Sequence, residues 1–422
     1  MDYNEALSYL KILNPMGIRL GLDEIKELLG RLGNPQDGYS SVIIAGTNGK
    51  GSVAAMTASI LNAAGYKTGL YTSPDLIDFR ERIRINGKMI TPKQTVACIE
   101  TVRLKVTETV SYFEFVTAMA FLHFQRQKID IAVLEVGMGG RLDATNVANA
   151  PICVVTNISR EHEDYLGRTL KKIAYEKAGV VKEEGICITA AKQKSVVGIL
   201  EQICKERKAR LYRMGKEFHA SAHRDGTFSY TGLTKQFKRL KSPFIGRHQI
   251  TNAALAIRTV EALATKSFTI SDGAVRRGLK RATWEGRLEI VQHSPTLVLD
   301  GAHNPAGVAT LCRALGKDFA YKRLILIFGV MGDKNYRLMA KMLFPLADAL
   351  IITRPPSERA LPPDILHSIA LEFNKNIEII ASPRDALRHA LEISGDTDLV
   401  CVAGSLYLVG EIKKVYKDIK GS

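Results

Sequence analysis

Ala45-Gly46-Thr47-Asn48-Gly49-Lys50-Gly51-Ser52 decides how this chain is read. It follows an apolar, partly β-branched run, Val42 to Ile44, and precedes a helix-like stretch, Ser52 to Leu61. Strand, glycine-rich loop and helix in that order build a phosphate cradle. The glycines turn backbone N–H groups toward an anion, the helix N-terminus adds its dipole, Lys50 supplies a point charge, and Ser52 offers a hydroxyl to Mg²⁺. A nucleoside triphosphate site is expected. The spacing departs from G-x-x-x-x-G-K-[ST], because Gly51 separates Lys50 from Ser52, and a plain glycine turn is the alternative.

Outward from this loop, helical periodicity marks Tyr3 to Leu13 and Leu22 to Leu32. Short β-rich runs then alternate with amphipathic segments: Val42 to Ala45, Tyr66 to Tyr71, Ile129 to Val136, Ile152 to Thr156 and Ile186 to Thr189. Such alternation predicts an α/β fold with a mostly parallel sheet wrapped by helices. A second alternating series follows Trp284-Glu285-Gly286-Arg287, with strands near Thr296 to Leu299, Leu324 to Phe328, Ala349 to Thr353, Ile377 to Ile380 and Leu399 to Ala403. Two domains are expected, 1–285 and a smaller Rossmann-like 286–422, joined by a short linker. The stretch from Lys216 to Ser242 mixes polar and aromatic residues without a readable period.

Composition bounds the function classes. At 422 residues and 46% hydrophobic content the chain supports ordinary globular cores. The net charge of +16, from 59 basic against 43 acidic side chains, suits nucleic acid, an anionic membrane or small polyanions alike. The basic residues are dispersed, with no zinc-ligand spacing and no basic arm, which argues against nucleic acid. Six cysteines without a C-x-x-C pair, Cys98, Cys153, Cys187, Cys204, Cys312 and Cys401, read as buried thiols of a reducing cytosol. No signal peptide and no bilayer-length apolar run is present, so a soluble cytoplasmic protein is expected.

Candidate chemistry gathers at strand ends. Ile131 to Val136 is apolar until Glu135, just before Gly137-Met138-Gly139-Gly140, and ligands in open α/β sheets collect at such ends. Glu135 suits a hard cation, or caps the turn. His162, beyond Ile152 to Thr156, is placed to join it, with Glu161, Glu163 and Asp164 as competing ligands and an ordinary hydrogen-bonded histidine as the alternative. Thr72-Ser73-Pro74-Asp75 brings hydroxyls to the same crevice, or is a Ser-Pro turn. Lys177, near a helix C-terminus, reads locally as a solvated lysine. Downstream, Arg287 suits a phosphate oxygen and Asp300 a ribose or base contact. Both would reach the triphosphate across a cleft, as would the loop carrying His303. A loop cap or a surface ion pair is the alternative for each.

Together these segments resemble the folylpolyglutamate synthases and bifunctional dihydrofolate synthases, a branch of the Mur ligase superfamily. The resemblance rests on Leu20-Gly21-Leu22-Asp23 with Leu32-Gly33-Asn34-Pro35, Gly46 to Ser52, Tyr71-Thr72-Ser73-Pro74, Phe79-Arg80-Glu81-Arg82-Ile83, Glu135 to Asn146, Glu176-Lys177-Ala178-Gly179, and Leu299 to Pro305. That family's loop carries the same Lys-Gly-Ser variant. The resemblance implies a P-loop Mur-ligase-type ATPase domain and an ATP-dependent glutamate ligase. It places Thr47, Asn48, Gly49, Lys50, Gly51, Ser52, Asn252, Arg287, Asp300 and His303 on ATP, and Ser73, Glu135 and His162 on Mg²⁺. Ser111-Tyr112-Phe113-Glu114 and Leu142-Asp143-Ala144 match pterin-substrate positions.

The same resemblance makes Lys50, Lys177 and His162 the catalytic set, with Lys177 carbamylated and able to reach a second Mg²⁺. Its implied partners are ATP, L-glutamate, dihydropteroate or reduced folates. The protein is expected to act as a monomer, without nucleic acid or membrane. Two departures stand out: Asp75 replaces the usual histidine after Ser-Pro, and Arg160-Glu161-His162-Glu163 replaces the commoner Leu-Asp-His-Thr.

Overall fold

The computed structural model describes residues 1–13, 21–107 and 110–421, so Leu20 of the first resemblance motif lies outside the described residues. The chain forms two compact units. The first comprises residues 1–75, 79–243 and 249–283, and the second residues 76–78, 244–248 and 284–422.

The first unit is built on an eight-stranded sheet. In chain order its strands are β1 (Ser40–Ala45), β2 (Thr68–Tyr71), β3 (Ile83–Ile85), β4 (Lys88–Met89), β5 (Ile131–Glu135), β6 (Ile152–Val155), β7 (Ile186–Thr189) and β8 (Arg210–Arg213). Their spatial order is β4-β3-β2-β5-β1-β6-β7-β8. The six strands from β2 to β8 in this order run parallel, and β3 and β4 add an antiparallel hairpin at one edge. β1, β5, β6 and β7 are buried on both faces apart from Ser40, which is why they read as unbroken apolar runs. β1 lies between β5 and β6, with Ile44 beside Glu135 and Ala45 beside Val155. From β1 the chain crosses to β2 on one side, whereas from the neighbouring β6 it continues to β7 on the other, so the carboxyl ends of β1 and β6 flank the topological switch point.

From the carboxyl end of β1 the chain enters the helix Lys50–Ala63, rich in alanine and buried along most of its length. The helix Asp272–Arg281 packs against it so closely that a Cβ on Gly278 would lie 2.3 Å from the Ile60 Cα. Ser59 Oγ donates to Gly278 O at 2.7 Å, a bond spanning 219 residues of sequence. The unreadable stretch after Lys216 is an antiparallel sheet of β9 (His219–Ala222), β10 (Thr227–Thr231) and β11 (Gln236–Lys241). Its pairing slips between Phe228 and Tyr230, and the slip breaks the period of two that would have revealed it.

The second unit holds β12 (Glu289–His293), β13 (Thr296–Leu299), β14 (Leu324–Phe328), β15 (Ala349–Ile352), β16 (Ile377–Ile379) and β17 (Leu399–Ala403), in the order β12-β13-β17-β14-β15-β16. All pairs are parallel except β12 with β13. Alternate residues feed two cores: Val298, Leu326, Phe328 and Cys401 on one face, Leu299, Ile325, Ile327 and Val402 on the other. A sheet with apolar side chains on both faces must be covered twice, which is the doubly wound arrangement. Among the described residues all six cysteines are free thiols, five of them buried and Cys312 half-buried. No described helix is long and apolar enough to cross a membrane.

Candidate active site at the end of strand β1

The loop after β1 depends on glycine at two places. Gly46 has φ +138°, and a Cβ there would lie 1.9 Å from Thr156 Oγ1. Gly49, at φ +86°, caps the helix Lys50–Ala63, and its Cβ would meet Asn252 Oδ1 at 2.6 Å. The first bond of the following helix runs from Val53 N to Gly49 O. The amides of Lys50, Gly51 and Ser52 thus precede the intrahelical ladder and form a helix N-terminus able to receive an anion. Lys50 Nζ donates to Thr47 O at 3.2 Å, which holds its charge beside the loop.

The residues after β6 stitch this loop in place, and sequence reading assigned none of them. Thr156 Oγ1 and Asn157 Nδ2 donate to Asn48 O at 2.7 and 2.8 Å, and Asn48 N donates to Asn157 Oδ1 at 3.1 Å. Thr47 N donates to Asn157 O, while Thr47 Oγ1 donates to Ser159 O and accepts from Ser159 N. The available signal was their position at the carboxyl end of the strand beside β1.

Lys177 corrects the local reading. It is 2% exposed rather than solvated, and its Nζ donates to Gly46 O at 2.8 Å. Burial, then the Lys50 charge, pushes its ammonium down to about 7, partly opposed by Glu161 and Asp143. The signal lay in the helix Leu170–Ala178, where Ile173, Ala174, Lys177 and Ala178 make one buried stripe, a helical turn apart.

Glu135 and Ser73 come together, with Ser73 N donating to Glu135 Oε2 at 3.3 Å. His162 has φ +51°, caps the short helix Glu163–Leu166, and lies with Nε2 3.9 Å from Glu161 Oε1. Among the described residues no three His, Cys, Asp or Glu side chains are grouped to hold a metal. Asp75 is paired with Arg82, Oδ1 to Nε 2.5 Å, and the Arg82 guanidinium lies 5.4 Å from the Tyr112 ring centre. The family's histidine position is filled here by the counter-ion of a buried arginine.

The expected pterin positions carry structural bonds. Ser111 and Glu114 form a capping box on the helix Tyr112–Arg126, with Ser111 Oγ to Glu114 Oε2 at 2.6 Å. Phe113 lies over Gly137, whose Cβ would come within 2.6 Å of its ring. Asp143 accepts from Met138 N, Thr145 N and Thr145 Oγ1, tying the glycine turn to the 3₁₀ segment Ala144–Val147 that follows Leu142. Burial raises the Asp143 carboxyl, and these donors oppose the rise.

In the second unit Asp300 closes the turn after β13. Its Oδ2 accepts from Leu288 N at 2.9 Å and its Oδ1 from Ala302 N at 3.0 Å. Burial raises its carboxyl while Arg287 opposes the rise. His303 Nδ1 lies 2.8 Å from Gly301 O, and Asn304 caps the helix Pro305–Leu315. Arg287 Nη1 donates to Gly286 O, and a side chain on Gly301 would strike it. Asn252, in the first unit, donates to Gln249 Oε1 at 2.9 Å and abuts Gly49.

The Mur ligase middle domain matches residues 44–260, and the Mur ligase glutamate ligase domain residues 286–406. The chain is 35% identical over 428 residues to a dihydrofolate synthase/folylpolyglutamate synthase of Bacillus subtilis, covering 98% of this chain and 99% of that one. It is 37% identical over 434 residues to a probable bifunctional folylpolyglutamate synthase/dihydropteroate synthase of Halobacterium salinarum. There it covers 98% of itself but spans only 51% of the relative's length. The solved structure of E. coli FolC in complex with DHPP and ADP is similar with a TM-score of 0.92 at 30% identity, over 100% of this chain and 99% of that one.

Proposed function

The chain belongs to the folylpolyglutamate and dihydrofolate synthase branch of the Mur ligases, which are ATP-dependent ligases, and we propose that it joins L-glutamate to dihydropteroate and to the glutamate tail of reduced folates. The substrate carboxylate attacks the γ-phosphorus of ATP, giving an acyl phosphate and ADP. The glutamate amine then attacks the acyl carbon, the C–O bond to phosphate breaks, and inorganic phosphate leaves with an amide formed.

The observation that carries this reading is the cradle at the end of β1: a helix N-terminus, Lys50, and a buried Lys177 bonded to the loop's first carbonyl. In this reading the Lys50, Gly51 and Ser52 amides and the Lys50 ammonium bind phosphate oxygens. Thr47 and Asn48 hold the loop's shape, and Asn252 supports Gly49. Arg287, Asp300 and His303 are proposed as nucleotide contacts of the second unit, with Arg287 on phosphate and Asp300 orienting the turn that bears His303. Positioning and charge neutralisation account for the rate, since the transferring phosphoryl group needs no enzyme nucleophile.

A carboxylate on Glu135, the Ser73 hydroxyl and the His162 imidazole are donors that suit Mg²⁺, which takes one or two protein ligands and fills the rest of its shell with phosphate and water. Bound there, Mg²⁺ supplies charge neutralisation at phosphate oxygens. Lys177 is proposed to carry a carbamate. Its burial against Gly46 leaves an uncharged amine accessible near neutral pH, and the carbamate gives the site an anion for a second Mg²⁺. Ser111 to Glu114 and Leu142 to Ala144 are proposed to shape the pterin pocket through Phe113 and the turn they cap. A monomeric, cytoplasmic enzyme acting on small molecules is the accompanying proposal.

Mass spectrometry of products tests the reading. With ATP, glutamate, Mg²⁺ and bicarbonate, dihydropteroate and tetrahydrofolate should each gain glutamate, with one ADP formed per amide. ATP turnover indifferent to both pteridines would overturn it.

A further inference from the structure

Beside the helix that carries Lys177 lies a pocket of about 420 Å³, lined in part by Tyr165, Gly167, Lys171, Lys172, Tyr175 and Glu176. Its lining comes from the exposed face of that helix and from chain next to residues of the candidate site. His162 caps the helix bearing Tyr165, and Glu176 directly precedes Lys177. The Gly139 and Gly140 turn rests against Leu166 and the Glu176 carbonyl.

The pocket's charge is one-sided. Glu176, its single acid, is held by Arg141 through bonds of 3.0 to 3.2 Å, and the same guanidinium lies 5.8 Å from the Tyr175 ring centre. Lys171 and Lys172 are exposed and form no ion pair among the described residues. Gly167, at φ +87°, leaves room for the Lys172 stem, which a Cβ there would strike at 2.8 Å. The Lys172 chain is therefore seated while its ammonium stays free for solvent or ligand. Tyr165 and Tyr175 are 46% and 51% exposed, a high value for large rings, and they give the rim flat faces and hydroxyl donors.

Two unpaired ammonium groups and two exposed phenols in one concavity fit a chain of carboxylates joined by amide and aromatic groups. Resting on the function proposed above, we infer that this pocket is a subsite for the γ-glutamyl tail of the substrate, and that Lys171 and Lys172 determine which tail lengths are extended. The reacting carboxylate is always the last one, so each glutamate already added places one further α-carboxylate between the pteridine and the phosphate. A monoglutamate carries only the α-carboxylate beside its reacting group, whereas a pentaglutamate carries four more along the tail for the lysines to hold.

The test compares kcat/KM for tetrahydrofolate monoglutamate and pentaglutamate in the full chain and in Lys171→Glu/Lys172→Glu. The monoglutamate value should stay within about two-fold. The pentaglutamate value should fall roughly ten-fold, as expected for reversing two exposed charges against carboxylates. Its KM, rather than kcat, should carry the loss, and the pentaglutamate KM should rise with KCl more steeply in the unaltered chain than in the variant. Equal effects on both substrates in a variant with unaltered circular dichroism, or no effect on either, would overturn the subsite. Should the charge reversal unfold the protein, Lys171→Met/Lys172→Met keeps the aliphatic stems and must give the same direction of ratio, about three-fold or more. Absence of ligation on every substrate in the unaltered chain would instead fail the proposed activity itself.

Discussion

Replacing Lys177 by methionine separates what this residue costs the fold from what it does. An ammonium whose ordinary value of 10.5 is pushed down to about 7 binds fewer protons in the folded than in the unfolded chain across the window between them. Where the unfolded chain binds more protons, stability rises with pH. The cost is therefore full below about pH 7, shrinks as pH climbs, and vanishes above 10.5. At 1.36 kcal/mol per factor of ten, the cost is about 5 kcal/mol at pH 6 and about 2 kcal/mol at pH 9, so Lys177 alone should add about 2.5 kcal/mol of stability over that interval. Methionine fills similar volume but leaves Gly46 O without its donor, an offset of about 1–3 kcal/mol that does not depend on pH. The measurement is urea unfolding of both proteins at pH 6 and 9 in carbon-dioxide-free buffer. It is read as the difference between them, so that the second unit and all other titrating groups cancel. A wild-type-minus-variant difference that is flat within about 0.5 kcal/mol refutes the argument. At pH 7 the same shift enriches the free amine by roughly a thousand-fold over an ordinary lysine. ¹³C-bicarbonate should accordingly yield a carbamate resonance and stimulate turnover in the wild type, and neither in the variant.

Three further perturbations follow from the geometry. Gly46→Ala should lower affinity for a non-hydrolysable ATP analogue at least thirty-fold, roughly 2 kcal/mol, by titration calorimetry, because its Cβ would collide with Thr156 Oγ1. Affinity within three-fold of wild type would contradict the assigned loop. Asp75→Ala should cost about 2 kcal/mol in urea unfolding, since it strips the counter-ion from Arg82, whose side chain is only 10% exposed. A loss under 0.5 kcal/mol would mean that the ion pair is not what fills this position. Gly278→Ala should destabilise the first unit by about 3 kcal/mol and lower ATP affinity with it, as backbone must move to admit a methyl 2.3 Å from Ile60 Cα. Unchanged nucleotide affinity at equal stability loss would show that the cradle does not depend on that packing.

Much of this architecture was legible because its signals are local. The glycine-rich loop announces itself through glycines that must adopt φ above zero beside a buried strand, and the parallel strands through apolar runs that no half-exposed strand would carry. The hairpin of β3 and β4 was missed since three and two residues cannot display a period, and β9 to β11 since the slip at Phe228 shifts the alternation. Residues 76–78 and 244–248 join the second unit through tertiary packing alone, and no pattern in so few residues encodes that. The site divided in the same way. Lys50 and Glu135 were found from strand ends, but the loop's stitching by Thr156, Asn157 and Ser159 depends on strand order, which a linear reading does not fix. Ser111 and Glu114 illustrate the reverse case. Their spacing spells a helix cap, and that is the bond they make, whatever they contribute beyond it.

The bond from Ser59 to Gly278 has a bearing on synthesis. Gly278 leaves the ribosome more than two hundred residues after the helix Lys50–Ala63 that it helps to fix, and until then that helix lacks the neighbour that sets its axis. A nascent chain must therefore carry this helix without its packing partner through most of translation. The helix Asp272–Arg281 then works as the latch whose arrival completes the packing of the first unit.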